Sequence, residues 1–468
     1  MKPTTTTKAV ILKPGTPSVL FTGRTRWIIS FLFSILLVHG LFHHKFPVPG
    51  PRDTVQFPPN IFHHLAQYSP YFSVDKYVPP PAQCTVDQVS ILQRHGARYP
   101  TKGAAAFFSS VIDKLHKAEL VGRQREQFAW LNTYRYDLGV EDMVPLGFQQ
   151  SEVAGQCAFE RYQSLAKKGL FLRASSSTRV VDSAFSWAKG FQSASNQSVH
   201  INPPLVISDA LGSNDTLANK GCPRFRPIRL HWVWACVFAA PVIQRLQHMI
   251  TNVELETKDI IVLFELCAFE SVALERMSRF CKLFRIEEVR HYEYYQDLEK
   301  YYNRGYGNPL GPTQGVGYVN ELLSRLTGQA VRDTTQTNTT LDSDPETFPL
   351  DKGIYADFTH DNTIAAIVSA IGLFRESSGH LPSEQYASNR SWHFGHIAPF
   401  SGRIVFERLR CDGVPSIRIL VNDAVKQLDI CGADQQGVCS LEAFVHSQKY
   451  AREDGQRDWL ECGWEPRF

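Results

Sequence analysis

The stretch Arg94-His95-Gly96-Ala97-Arg98-Tyr99-Pro100 decides how the rest of the chain is interpreted. It follows the apolar run 86–92, which is typical of a short buried strand. Two guanidinium groups and an imidazole this close together repel one another unless an anion lies between them, and arginine's planar fork suits two phosphate oxygens. The glycine allows backbone amides to approach a ligand closely, and the proline stiffens the exit from the turn. The stretch therefore predicts a phosphate pocket with His95 at its floor, and a solvated basic loop is the alternative.

Two further apolar runs end in charged residues. Residues 170–172 lead into a turn rich in serine that ends at Arg179, and residues 354–358 lead into His360 and Asp361. A helical pattern follows each turn, so an anion at either place would lie near a helix N-terminus. The carboxyl ends of strands in an open α/β sheet converge on one crevice, so the three strand ends predict one shared site. For Arg179 an ordinary capped helix with a surface arginine is the alternative.

Composition narrows the class of protein. The 468 residues are 43% hydrophobic and 20% charged, which allows a large core and predicts two domains or one domain with a large insertion. The net charge of +3 and the absence of basic runs or zinc-finger spacing argue against nucleic-acid binding. Ten cysteines outside Cys-x-x-Cys pairs favour a disulfide framework in an oxidising compartment. No metal-ligand cluster stands out in the sequence, so neither a metal nor a cofactor is expected.

The first part of the chain is typical of a targeting segment. Residues 1–26 carry five basic and no acidic side chains, and residues 27–42 are largely apolar. The apolar run is shorter than the roughly 20 residues of a comfortable membrane span, but no small-x-small cleavage site stands out. We predict an uncleaved signal anchor with a cytosolic tail and a luminal or extracellular catalytic domain, and a cleaved signal peptide with secretion is the alternative. A Pro-rich linker is expected over residues 43–67.

Four sequons lie downstream of this segment. Each one alone arises often by chance, but together with the cysteines they support a glycosylated catalytic domain in the secretory pathway. The acceptor residues are Asn196, Asn214, Asn338 and Asn389.

The quoted stretch resembles the Arg-His-Gly-x-Arg-x-Pro signature of the histidine acid phosphatases. Over roughly residues 68–462 the chain is similar to the fungal 3-phytases of that family, which lies within the phosphoglycerate-mutase-like superfamily. Further segments that carry the resemblance are Tyr71–Val74, Leu172–Ser175, Cys267–Glu270, Gly307–Pro312, Tyr355–Asn362 and Val421–Asp423.

The resemblance implies a phosphoglycerate-mutase-like α/β fold. Its parts are an open mixed sheet flanked by helices and a smaller, mostly helical inserted domain, here preceded by an N-terminal apolar helix. The α/β catalytic domain is expected over 68–104, 170–215 and 330–468. The largely helical region and pocket wall are expected over 105–169 and 216–329.

The resemblance also implies an activity and roles. The expected reaction is hydrolysis of phosphate monoesters, most of all of phytate (myo-inositol hexakisphosphate). His95 is then the nucleophile that becomes phosphohistidine, and Asp361 is the proton donor. Flanking cations keep the pKa of the histidine low, and Asp361 must be protonated for the first step, which implies an acidic optimum. The phosphate is expected to be held by Arg94, Arg98, Arg179 and His360.

Three other functions remain open at this point. One is a broad-specificity histidine acid phosphatase with little phytate preference, the second is a mutase that shuttles phosphate on the same histidine, and the third is a non-catalytic membrane-anchored relative. The intact set of six site residues argues against the last, and the cysteines and the apolar segment argue against the mutase.

Two features depart from the family. Residues 223–238 are basic where the family phytases carry an acidic segment, so they form either a divergent pocket wall or an error in the coding sequence. The lysine-rich substrate rim is thinned, because Lys102 and Lys300 remain but Glu299 stands where some relatives have lysine. We therefore expect a relaxed preference for phytate. The enzyme is expected to be monomeric.

The cysteines complete the expectations that the resemblance supplies. Cys157 and Cys236 are left without family partners, and Cys157, on an apolar helix face, is expected to be a buried thiol. The implied disulfides are Cys84–Cys411, Cys222–Cys462, Cys267–Cys281 and Cys431–Cys439.

Overall fold

The computed structural model describes residues 57–123, 125–210 and 212–463, which belong to one compact unit. The predicted cytosolic tail, the apolar segment 27–42 and most of the Pro-rich linker lie outside the described residues. Within the described ranges, no helix is both long enough and apolar enough to cross a membrane.

A mixed sheet of eight strands forms the centre of the fold, in the order β10-β8-β7-β1-β6-β3-β4 with β9 paired to β8. The strands β1, β6, β3 and β4 are parallel, whereas β7 and β8 run antiparallel to their neighbours. A separate two-stranded ribbon joins β2 to β5. The strands are β1 (Cys84–Arg94), β2 (Glu119–Leu120), β3 (Leu170–Ser175), β4 (Leu205–Ile207), β5 (Ile250–Thr251), β6 (Ile354–Thr359), β7 (Arg403–Cys411), β8 (Val414–Val421), β9 (Ala424–Lys426) and β10 (Cys439–Ser440).

Helices cover both faces of this sheet, so the predicted α/β fold with a helix-flanked mixed sheet is confirmed. Those of seven or more residues are α1 (Lys102–His116), α2 (Pro145–Tyr162), α3 (Thr178–Ala194), α4 (His231–Gln247), α5 (Thr257–Leu274), α6 (Ile286–Asn303), α7 (Val316–Thr327), α8 (Asp361–Ile371) and α9 (Leu441–Ser447). Shorter helices span Pro59–Phe62, Arg125–Phe128, Thr339–Asp342, Phe394–Ile397, Lys449–Arg452 and Asp458–Glu461.

Helices α2 and α3 pack on one face of the sheet. Their Ala158 and Trp187 join Ile91 of β1 in a single buried cluster. The two helices approach so closely that a β-carbon on Gly155 would lie 1.9 Å from the carbonyl oxygen of Trp187, and a β-carbon on Gly190 would meet α2 in the same way. The sequence analysis grouped residues 145–162 with the inserted helical region, whereas in the structure they cover the sheet.

The larger core lies on the opposite face. Leu92 and Phe406 of the sheet pack there with helices α1 and α4–α8. Because both faces of the sheet are covered, β1 and β6 are buried along most of their lengths, as the apolar runs predicted. The departing segment 223–238 contributes the first half of α4, whose Trp234 and Phe238 are buried in this core.

Four charged side chains form a buried ion network between β3, β6 and α7. Arg173 binds Asp357 at 2.9 Å and Glu321 at 2.6 Å, and Arg325 binds Asp357 at 2.6 Å. None of the four side chains is more than 3% exposed. Despite burial, the two arginines lower the pKa of Asp357 to about 2, so it stays ionised.

The structure contains four disulfides, and they are the pairs that the resemblance implied: Cys84–Cys411, Cys222–Cys462, Cys267–Cys281 and Cys431–Cys439. The thiol of Cys157 is half-buried and burial raises its pKa, whereas Cys236 is exposed on α4. Of the sequon residues, three are exposed, and Asn338 is half-buried because its side chain caps the short helix that follows it. Glycosylation stays a prediction.

Candidate active site

The parallel strands β1, β3 and β6 end at the same edge of the sheet and bring the sequence-predicted site residues together. The end of β1 is held to the end of β6 by a hydrogen bond from the His95 amide to the Thr359 carbonyl oxygen, at 3.0 Å. The rings of His95 and His360 lie 5.5 Å apart. Arg94 Nη2 lies 3.4 Å from Asp361 Oδ2. Arg179, which follows β3, lies near enough to His360 to lower its pKa, so three stretches far apart in sequence form one cluster.

His95 is oriented for attack on an electrophile. Its side chain is buried, and Nδ1 lies 2.9 Å from the carbonyl oxygen of Gly96, which accepts only. Nδ1 must therefore carry the proton, which leaves Nε2 with a free lone pair. Burial and the positive charges of Arg94 and Arg98 hold the pKa of His95 well below its ordinary value. The effect of the cations on this pKa was predicted from the sequence, and the structure shows that burial lowers it more.

The glycine after His95 has a different role from the one predicted. A β-carbon on Gly96 would lie 2.2 Å from the carbonyl oxygen of Gly147 in α2, and a β-carbon on Gly147 would lie 2.0 Å from the Ala97 carbonyl oxygen. The two glycines allow the catalytic loop to contact the first turn of α2. The space at Gly96 is therefore filled by protein backbone, and the sequence analysis was wrong to reserve it for a ligand.

Arg94 and Arg98 are each anchored at one end of the guanidinium. Nη1 of Arg94 donates to the carbonyl oxygens of Gln67 and, at 2.9 Å, Ala398. Nη1 of Arg98 donates to the Tyr99 carbonyl oxygen at 2.8 Å. The buried Nε and Nη2 of Arg94 and the buried Nε of Arg98 have no hydrogen-bond partner among the described residues.

Arg179, at the start of α3, repeats this arrangement with a carboxylate as its anchor. Its Nη1 lies 3.1 Å from Oε2 of Glu141, and its buried Nε has no hydrogen-bond partner in the described part of the chain. Buried donors without acceptors cost free energy, so this many of them around one histidine point to a missing acceptor. An anion with several oxygens, such as a phosphoryl group, satisfies that requirement.

His360 and Asp361 occupy the N-terminus of α8. Burial and Arg179 lower the pKa of His360 to about 3, so its imidazole is neutral at mildly acidic pH. Burial alone would raise the pKa of Asp361, but the charges of Arg94 and Lys300 outweigh it and hold that pKa well below its usual range. Asp361 is therefore a carboxylate in the unliganded site, whereas the expected reaction needs its acid form.

Lys300 is part of this cluster and does not belong to an open rim. Its side chain is only 7% exposed, and Nζ lies 3.1 Å from both Asp361 Oδ2 and Glu299 Oε2. It also donates to Asn362 Oδ1 at 2.8 Å. A lysine already paired with two carboxylates offers less attraction to substrate than a free one.

The other rim candidates are spread out. Lys102 is exposed at the first position of α1. In the departing segment, Arg224 and Arg226 are exposed and contact the chain near Cys462 and in the loop before α4. Arg229 is exposed as well. Burial lowers the pKa of His231, Glu299 acts against it, and Arg229 and Lys300 lower it further.

Sequence reasoning missed two ionisable residues at the site. Arg304 is half-buried, its Nη1 donates to Gln314 Oε1 at 2.9 Å, and burial lowers its pKa to about 10 against the influence of Glu299 and Asp361. Burial and then Glu299 raise the pKa of Glu265, on α5, to about 7. The four-residue spacing from Lys300 to Arg304 was an available signal, because in a helical pattern it places two cations one turn apart; in the structure Arg304 is the residue that follows α6, and its amide donates to the Lys300 carbonyl oxygen.

Comparisons with known proteins place the chain in a family. It matches the histidine phosphatase superfamily (branch 2) over residues 85–422. Phytase A of Aspergillus awamori is 37% identical, covering 86% of this chain and 90% of the relative. Phytase A of Aspergillus oryzae is 36% identical, covering 89% of this chain and 95% of the relative.

Solved structures show the same fold. The phytase from D. castellii superposes with a TM-score of 0.72 at 24% identity, covering 86% of this chain and 88% of that chain. The Bifidobacterium longum multiple inositol polyphosphate phosphatase, in complex with inositol hexasulfate, superposes with a TM-score of 0.59 at 14% identity, covering 81% and 96%. The match in sequence over most of the chain is decisive: this chain belongs to the histidine phosphatase superfamily (branch 2).

Proposed function

We propose that this phosphoric monoester hydrolase is a phytase-type acid phosphatase that works through a phosphohistidine on His95. The observation that carries the proposal is the buried neutral His95 with Nε2 free, surrounded by arginine donors that have no acceptor among the described residues. A phosphoryl group supplies both the electrophile for the nitrogen and the acceptors for the donors.

In the first step, Nε2 of His95 forms a bond to phosphorus as the bond from phosphorus to the ester oxygen breaks. The donors of Arg94, Arg98 and Arg179 neutralise the charge on the non-bridging oxygens, which is the main contribution a protein makes to phosphoryl transfer. Asp361 gives a proton to the departing oxygen, because an unprotonated alkoxide leaves poorly.

Asp361 becomes protonated when the substrate phosphate binds. The phosphate competes with Asp361 for the donors of Arg94 and adds negative charge beside the carboxylate, and both changes raise the pKa of Asp361. Acidic solution then supplies the proton. The low pKa of Asp361 in the unliganded site is therefore compatible with its role as the proton donor in the reaction.

In the second step, water attacks phosphorus and the bond to Nε2 breaks. Asp361, now a carboxylate, takes a proton from the water, and inorganic phosphate leaves. His95 returns to its neutral form, so that atoms and charges balance over the cycle.

Phytate is the substrate best supported. The relatives that match over most of the chain are named Phytase A. We propose a relaxed preference for it, because the side chain of Lys300 is already paired with Asp361 and Glu299. Long-range attraction of a highly charged ester depends on unpaired cations.

We further propose that the enzyme works in an oxidising compartment, reached through the secretory pathway. Four disulfides support this proposal, since such bonds persist where thiols are not kept reduced. The predicted signal segment and the sequons agree with it.

The test is phosphate release from phytate and from a small aryl phosphate, measured from pH 3 to pH 8 with the purified protein. We expect activity on both esters with an acidic optimum, and a phytate kcat/KM that falls as salt is added. Activity on neither ester, or activity confined to alkaline pH, would contradict the proposal.

A further inference from the structure

The loop that contains residues 141–144 pairs through its backbone with the catalytic stretch 94–100. The amide of Tyr99 donates to the Asp142 carbonyl oxygen and the amide of Glu141 donates to the Pro100 carbonyl oxygen, each at 2.9 Å. Residues 141–144 therefore run along residues 97–100 as a short antiparallel pair, next to the residues that surround His95. Nothing in the mechanism above uses this loop.

Glu141 differs from the rest of the loop in its backbone conformation and in the contacts of its side chain. Its φ is +65°, in the left-handed region that non-glycine residues adopt at a cost. Its side chain bridges two elements: Oε1 accepts from the backbone amide of Lys102 at 3.1 Å, and Oε2 accepts from Arg179 Nη1 at 3.1 Å. The carboxylate thus joins the first turn of α1 to an arginine of α3.

The three site arginines show what this contact does. Arg94 and Arg98 are anchored at Nη1 by carbonyl oxygens of neighbouring backbone, which are fixed by the fold. Arg179 has no such carbonyl within hydrogen-bond distance in the described structure, and Glu141 takes its place at Nη1. With Nη1 held, the unpartnered Nε of Arg179 is fixed in direction.

We propose that Glu141 is a positioning residue, which orients Arg179 so that its free donors meet the substrate phosphate. The inference rests on the proposed function only in taking the ligand to be a phosphoryl group. It concerns a residue that contacts neither the reacting atoms nor His95.

Two opposite effects make the inference testable. Glu141 is an acid close to a site for anions, so its charge alone weakens phosphate binding, and neutralising it should strengthen binding by Coulomb's law. Its side chain is 43% exposed, so solvent screens that repulsion. A charge-assisted hydrogen bond that fixes an arginine acts in the other direction, and losing it should weaken binding. If phosphate affinity rises in Glu141→Gln, the repulsion by its charge dominates, and if the affinity falls, the positioning of Arg179 dominates.

The experiment measures inorganic phosphate binding by calorimetry, and kcat and KM on an aryl phosphate, for wild type, Glu141→Gln, Glu141→Asp, Arg179→Ala and the Glu141→Gln/Arg179→Ala double variant. Glu141→Asp keeps the charge but withdraws the carboxylate by one methylene, so it tests position without changing charge. Glu152→Gln is the matched control, because Glu152 makes a similar contact, at 2.9 Å, with the exposed Lys189.

We expect phosphate affinity and kcat/KM to fall about tenfold in Glu141→Gln and in Glu141→Asp, a loss of the size expected for one charge-assisted contact. In the Arg179→Ala background the same Gln substitution should have almost no effect, since the residue it positions is gone. Glu152→Gln should match wild type.

The inference is overturned if Glu141→Gln binds phosphate as tightly as wild type or more tightly, or if its effect is the same with and without Arg179. Wild type that binds phosphate but hydrolyses no ester would refute the proposed function alone, and the phosphate affinities would still decide the role of Glu141. Wild type that binds no phosphate would refute both.

Discussion

The catalytic pocket and the buried ion network both combine arginines with carboxylates beside the parallel strands, but the arginines are paired differently in the two regions. In the network, Arg173 and Arg325 each have a carboxylate within 2.9 Å. Nε and Nη2 of Arg325 have no hydrogen-bond partner among the described residues, but its guanidinium packs on the rings of Phe348 and Tyr355. In the pocket, Arg94, Arg98 and Arg179 each keep at least one buried donor without a hydrogen-bond acceptor among the described residues. Their contacts with carboxylates are longer, at 3.4 Å from Arg94 to Asp361 and 3.1 Å from Arg179 to Glu141.

The difference separates charges that stabilise the fold from charges that bind a ligand. A guanidinium that is paired closely with a buried carboxylate has its charge matched inside the protein, and removing that partner leaves an unpaired buried charge. A guanidinium held at one end and unpartnered at the other costs stability in the free protein and recovers it when an anion arrives. Each prediction below tests this separation.

The largest effect is expected at the nucleophile. His95→Ala should lower kcat by about 10³-fold or more on every ester, because no covalent intermediate can form, while leaving the melting temperature within a few degrees of wild type. Steady-state kinetics and thermal unfolding check both parts. His446→Ala, at an exposed position on α9, is the control and should behave as wild type. Retention of a tenth of the activity in His95→Ala would contradict the assignment.

Asp361→Asn should discriminate between leaving groups. We expect kcat on an alkyl phosphate to fall by about 10²–10⁴-fold, the usual contribution of a general acid, and kcat on an aryl phosphate to fall far less, since a phenolate leaves without a proton. The two substrates are compared in single-turnover experiments. Equal losses on both would remove Asp361 from the role of proton donor.

A matched pair of substitutions tests the comparison itself. Arg98→Ala, in the pocket, should lower kcat/KM by about 10²–10³-fold with little loss of stability, because it removes a donor that acts on the transition state. Asp357→Asn, in the network, should lower the free energy of unfolding by about 3–5 kcal/mol, because it leaves two buried guanidiniums short of charge. Urea unfolding and kinetics on both variants give the answer.

Lowering the pH should also lower the free energy of unfolding, because it protonates Asp357 in the network. The pKa of Asp357 in the folded protein is about 2, below its unfolded value, so its contribution is complete above about pH 4 and is lost as pH falls through 2. If Arg98→Ala destabilised the protein as much as Asp357→Asn, or if Asp357→Asn abolished catalysis while remaining folded, the two regions would not be separable in this way.

Much of the site was accessible from sequence because three local signals agreed. Each of three apolar runs ended in His, Arg or Asp next to a helical pattern, and parallel strands necessarily bring such ends to one edge. The disulfide pairs followed from the resemblance. The environment of Lys300 did not, because Asp361 on α8 meets it only through the packing of α6 against α8.

The network shows where local reasoning failed. Arg173 directly follows the apolar run 170–172, as a pocket residue would, but it is paired with Asp357 on the neighbouring strand, on the sheet face opposite α2 and α3. Since side chains alternate along a strand, the buried alanine after Arg173 was a signal that the arginine faces the other way. The antiparallel half of the sheet, β7 to β10, also gave no clear signal, because its charged residues Arg418 and Glu407 pair with each other when buried.

The smallest effect is expected at Glu299. Glu299→Lys should improve phytate kcat/KM by about two- to fivefold and make it more sensitive to salt, because it removes a partner of Lys300 and adds a cation near the pocket. The rate on a small aryl phosphate should barely change. Both substrates are measured at two ionic strengths, and an unchanged phytate rate would show that Glu299 does not face the bound substrate.

The central claim is that His95 carries the phosphoryl group, and one measurement addresses it directly. The enzyme is mixed with an aryl phosphate for milliseconds and denatured by rapid quenching, and the peptide that contains residues 94–100 is analysed by mass spectrometry under conditions that preserve phosphohistidine. We expect one phosphoryl group on His95 in wild type and none in His95→Ala. Turnover without any phosphorylated peptide, or with the phosphoryl group on another residue, would contradict the account.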